Sequence, residues 1–105
     1  MARRNYFTRD EIVLCTYAAI YYASDFGGIS KIEDLTHRSL ASIKMKIQNI
    51  AAMLDEAGAK RYSDVSPLTG LPQGQTGRMT NWEIVEPLYK LPKQALFQKC
   101  RSILG

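Results

Sequence analysis

Residues 32–54, IEDLTHRSLASIKMKIQNIAAML, decide the fold. They read as a short helix, a tight turn at Thr36-His37-Arg38, and a longer helix that opens at Ser39. Ile43, Ile47, Ile50 and Leu54 are spaced by four, three and four residues, which is the helical period. At about 100° per residue they make one narrow stripe, widened by Leu40, Ala51 and Met53. The opposite face carries Ala41, Met45, Gln48, Asn49, Ala52 and Glu56, with Lys44 on its flank. Ser39 is the expected N-cap, because its hydroxyl can accept from a free backbone amide, and Gly58 is the expected C-cap.

Upstream, Thr8 and Glu11 have the spacing of a capping box, and Phe7 stands where it can staple onto Ile12. Residues 12–23 are apolar nearly all round, so this first helix is expected at the centre of the core, ended by Asp25, Gly27 and Gly28. Ser30 and Glu33 predict a second capping box for the short helix. Residues 59–79 hold Pro67, Gly70, Pro72, Gly74 and Gly77, show no period, and are expected as a long solvated loop. Lys60, Arg61, Tyr62 and Arg78 at its ends are candidate phosphate contacts. Thr80 and Glu83 predict a third capping box, Pro87 an interruption of the helix it opens, and Pro92 the first turn of a last helix through Leu104. The C-terminal unit is too small to bury a core alone, and is expected to pack on the first three helices or on a second subunit.

Composition bounds the function. The chain has 105 residues, 46% of them hydrophobic, which fits one globular domain. Fourteen lysines and arginines against ten acidic residues give a net charge of +4, which fits a nucleic-acid partner without requiring one. Two cysteines, Cys15 and Cys100, with no neighbouring histidine, indicate a reduced intracellular protein. The opening MARRNYFTRD lacks the apolar run of a signal peptide, so a cytoplasmic or nucleoid location and no membrane partner are expected. Metal-ligand spacing, HExxH and a phosphate-binding glycine loop are missing, and the expectation is a protein without catalytic activity or cofactor.

Leu35-Thr36-His37-Arg38-Ser39, Ser42-Ile43, Met45-Lys46-Ile47 and Asn49-Ile50 together carry a resemblance. This stretch resembles the helical domain at the N-terminus of many bacterial HNH endonucleases. It is also similar to Myb-like and other helix-turn-helix DNA-binding modules. The resemblance covers residues 8–58 and implies that the Arg38-Ser39 junction opens a recognition helix, with Ile43 and Ile47 facing inward. The nuclease module itself has no counterpart, since His37 is the one histidine in the chain. The resemblance therefore implies DNA binding and nothing for cleavage.

These readings converge on an all-α protein with a trihelical helix-turn-helix core at residues 1–58, a Gly/Pro-rich loop at 59–79 and a C-terminal helical extension at 80–105. The expected function is binding of double-stranded DNA, as a small transcriptional regulator. Arg38, Ser39, Ser42, Lys44, Met45, Gln48 and Asn49 are the expected DNA-binding residues: hydroxyls, amides and cations for phosphate, Gln48 and Asn49 for base edges, Met45 for a thymine methyl. Arg3, Arg4 and Arg9 would form an N-terminal arm into the minor groove. A homodimer through the C-terminal helices would read two half-sites. The alternative is a phage- or plasmid-encoded protein-interaction module, an adaptor or inhibitor of a host protein.

Overall fold

The computed structural model describes residues 7–67 and 81–105, which form five α-helices and one 3-10 turn, with no strand among the described residues. The helices are α1 (Arg9–Ile20), α2 (Ile29–Thr36), α3 (Leu40–Glu56), α4 (Trp82–Tyr89) and α5 (Lys93–Leu104), and the 3-10 turn spans Ala23–Phe26. Helix α1 is the centre: it packs against α2, α3, α4 and α5. Every residue from Glu11 to Ile20 is buried, as its apolar circumference predicts.

Local signals set most of the boundaries. The Thr8 capping box forms: the Glu11 amide donates to Thr8 Oγ1 at 3.2 Å, and the Thr8 amide donates to the Glu11 carboxylate. Ser39 caps α3 by accepting from the Ser42 amide at 3.1 Å. At the other end of α3, the Ala59 amide donates to the Leu54 carbonyl and the Gly58 amide to the Asp55 carbonyl, with Gly58 at φ 77°. This is a Schellman arrangement, which satisfies carbonyls that have no partner inside the helix. Ile43, Ile47, Ile50 and Leu54 are all buried.

Several expectations are corrected. Helix α1 stops at Ile20, before the glycines, which instead close the 3-10 turn. The cause is tertiary. The amides of Tyr62 and Ser63 donate to the Ile20 carbonyl at 2.7 and 2.9 Å, and the Ser63 hydroxyl donates to the Ala19 carbonyl. Those carbonyls are taken, so the helix does not propagate. Residues 59–67 are thus a strap across the end of α1 rather than a solvated linker. Arg61 fixes the strap through Asp55, with Nε 2.7 Å from Oδ1, and through the Val65 carbonyl at 3.0 Å, so it is engaged internally.

The Ser30 capping box does not form, because Gly28, at φ 101°, is the N-cap of α2 and Ser30, two residues on, already lies inside the first turn. Helix α4 runs through Pro87 and ends two residues later, at Tyr89. Pro92 sits at the N-cap of α5 rather than inside its first turn. Leu40, expected on the apolar stripe, is exposed, whereas Ala52, expected on the outer face, is buried. Arg3, Arg4, Arg78 and the Thr80 box lie outside the described residues. Helices α4 and α5 bury Val85, Leu88, Leu96 and Cys100 in the common core, so the C-terminal unit packs back on α1.

Gly58 offers a clean check, since a Cβ there would meet nothing within 4 Å and only the left-handed backbone opposes it. Gly58→Ala is expected to cost about 1 kcal/mol. Urea unfolding with an unchanged m-value checks this; an unaltered midpoint would contradict the Schellman assignment.

Candidate nucleic-acid interface

The turn between α2 and α3 is built from three residues. His37 adopts the left-handed conformation, φ 61°, and its amide closes α2 on the Glu33 carbonyl at 2.7 Å. The Thr36 hydroxyl donates to the Ile32 carbonyl at 2.8 Å and accepts from the Arg38 amide at 3.3 Å. Ser39 then opens α3. The first turn of α3 has no acidic residue. With Ser42 capped and the Ile43 amide bonded to the Ser39 carbonyl, the amides of Leu40 and Ala41 have no acceptor among the described residues. Free amides at a helix start favour an anion.

The expected site residues separate in three dimensions. Lys44 and Met45 are exposed, Met45 at 59%, and Gln48 and Asn49 are half-buried one turn further along the same side. Ser39 is exposed and Ser42 half-buried at the head of the helix. Five of these share one outer face; Asn49 lies at its edge, with its side-chain oxygen buried. Arg38 does not join them. Its guanidinium turns inward onto Glu11, Nε to Oε2 at 2.8 Å and Nη2 to Oε1 at 3.1 Å, and both side chains are under a tenth exposed. It also covers the Phe7 ring, 3.9 Å from the centroid. Arg38 is therefore a positioning residue for the turn, and its expected role as a DNA contact is replaced by that one.

Sequence reasoning also missed Lys46. Its stem is buried, and its ammonium donates to Asn81 Oδ1 at 2.7 Å while lying 5.5 Å from the Phe7 ring. This ties the middle of α3 to the residue that precedes α4. The signal was present on the helical wheel, where Lys46 lies beside Ile43 and Ile50 on the buried side. For Arg38 the signal was Glu11, an acid at the edge of an all-round apolar helix, which needs a cation once buried.

The electrostatics agree with the geometry. Burial alone would raise the Glu11 carboxyl; the Arg38 hydrogen bond, the Thr8 amide and the Arg38 charge outweigh it and hold it below its ordinary 4.5. Burial pushes Lys46 down, and pushes the thiols of Cys15 and Cys100 up to about 12, which leaves them un-ionised at neutral pH. No group of three metal-ligating side chains comes together among the described residues. No helix among the described residues is long and apolar enough to cross a membrane.

No family model, no curated protein and no solved structure matches this chain.

Because the folded-state value of Glu11 lies below the unfolded one, the pair's contribution is complete above about pH 4.5 and is lost as pH falls through the folded value. Arg38→Met is expected to cost about 3 kcal/mol near neutral pH, since it leaves a buried carboxylate alone. The gap from wild type should narrow as acid protonates Glu11. Urea titrations at several pH values check both; a gap that does not change with pH would contradict the pairing.

Proposed function

We propose that the protein binds double-stranded DNA through the outer face of α3, in the manner of a helix-turn-helix, as a small regulator of transcription. One observation carries this reading. The start of α3 presents free amides, the Ser39 cap and no carboxylate, and it continues into Lys44, Met45 and Gln48 on one accessible side. Amides and hydroxyls at the helix start suit a phosphate. Lys44 adds a second phosphate contact, and the Gln48 amide is suited to an adenine edge. Asn49 flanks Gln48 and Met45 fits a thymine methyl. The three-residue turn and the resemblance to helix-turn-helix modules support the same reading. A second subunit would supply a second half-site.

A second reading is favoured by a specific observation. Leu35, Leu40 and Met45 are large apolar side chains exposed by 44, 40 and 59%, all on α2 or the first half of α3. Such groups also suit a protein partner, as an adaptor or inhibitor of a host protein would need.

Fluorescence anisotropy with random duplex DNA separates the two. Binding is expected at micromolar protein and about 50 mM salt, weakening steeply as salt rises. Lys44→Ala should lower the slope of log affinity against log salt by about 1, and Gln48→Ala should erode discrimination between duplexes. Absence of binding under these conditions overturns the DNA reading and leaves the face to a protein.

A further inference from the structure

The solvent side of α5 has a pattern that the α3 reading does not use. Its sequence, KQALFQKCRSIL, contains Lys93, Lys99 and Arg101 and no carboxylate. Leu96 and Cys100 point into the core, with Phe97, Ile103 and Leu104 half-buried beside them. At about 100° per residue this leaves Gln94, Gln98 and Ser102 as the central outer row, one turn apart, with Arg101 on one flank and Lys99 on the other. All five are exposed.

Neighbouring elements add charge on both flanks. Arg9, from the start of α1, lines a shallow depression together with Gln98, Lys99 and Ser102. Lys31, from α2, lines another with Arg101. Among the described residues, Arg9, Lys31, Lys99 and Arg101 have no carboxylate oxygen within 4.0 Å. Asp10 and Asp34 are the acids in the same depressions, and Asp10 lies in the first turn of α1, where the helix end already favours it. Lys93 is engaged elsewhere, 3.7 Å from Asp25. The outer face of α3 has one exposed lysine, Lys44; the flanks of α5 have four cations without a carboxylate partner, Arg101 lying 5.9 Å from the centroid of the Phe97 ring.

The row Gln94, Gln98 and Ser102 itself carries no large apolar side chain; the nearest exposed one is Leu35, across the depression that Lys31 and Arg101 line. Among the described residues, the exposed large hydrophobic ones are Tyr22, Leu35, Leu40, Met45 and Tyr62, and none lies on α5. Interfaces between protein subunits are anchored by large apolar or aromatic side chains at their centre. A row of amide and hydroxyl groups flanked by cations instead matches a row of phosphates, which accept hydrogen bonds from both kinds of group.

We infer that the outer face of α5, flanked by Arg9 and Lys31, is a second phosphate-binding surface for duplex DNA that reads no sequence. The inference rests on the DNA-binding reading and adds to it a surface on a different helix. Its test is the salt dependence of duplex binding by the full chain, by Lys99→Gln/Arg101→Gln, by Arg9→Gln and by Lys44→Gln. The double variant is expected to lower the salt slope by about 2 and Arg9→Gln by about 1. Affinity at about 100 mM salt should fall tenfold or more in the double variant, with the preference between duplexes and the circular dichroism unchanged. Arg9→Gln, on a different helix, keeps the test open should the double variant misfold. A wild-type slope in both the double variant and Arg9→Gln overturns the inference; if Lys44→Gln still lowers the slope, the α3 reading survives. A slope lowered only by the α5 and Arg9 variants supports the inference and overturns the α3 reading. No duplex binding by the wild-type chain overturns both.

Discussion

The carboxylate of Glu11 is shared between two parts of the chain. One oxygen accepts the Thr8 amide and so starts α1; the two together accept the Arg38 guanidinium from the turn between α2 and α3. The residues around this pair extend the connection. Phe7 lies under Arg38 and near Lys46, and Lys46 reaches Asn81 at the head of α4. A buried pair of this kind adds little over an apolar replacement, whereas stranding one partner costs about 3–5 kcal/mol. It acts as a constraint on register: with Arg38 held, Ser39 has one place from which to cap α3, and the outer face of α3 is fixed relative to α1.

The same constraint shapes what is left for a partner. The chain has fourteen basic residues, but Arg38 and Lys46 are buried and Arg61 is tied to Asp55 and the Val65 carbonyl. Among the described residues, the accessible cations without a carboxylate partner are distributed unevenly, with Lys44 on α3 and Lys99 and Arg101 on α5. Net charge therefore overstates the basicity of α3 and understates that of α5. The exposed apolar residues follow the opposite distribution, with Leu35, Leu40 and Met45 around the turn and α3.

What was legible in the sequence was what depends on neighbours within one turn. The Thr8 box, the Ser39 cap, the Gly58 stop and the stripe from Ile43 to Leu54 all rest on contacts three to five residues apart, and all form. What was not legible depends on distant partners. Arg38 finds Glu11 across 27 residues and Lys46 finds Asn81 across 35. Helix α1 ends early because residues 62 and 63 occupy its last carbonyls. Ala52 is buried although the stripe spacing places it outside. Five of the seven candidate site residues lie on one accessible side of α3; Asn49 has its side-chain oxygen buried, and Arg38 turns to a partner 27 residues away.

In the proposed complex α3 meets DNA with its outer face while Arg38 stays bound to Glu11. A titration of the isotopically labelled chain with duplex DNA, followed by NMR, addresses it directly. Shifts are expected at the amides of Leu40, Ala41, Lys44, Met45 and Gln48, with an unmoved Arg38 Nε–H resonance. A moving Arg38 Nε–H with unperturbed α3 amides would contradict it.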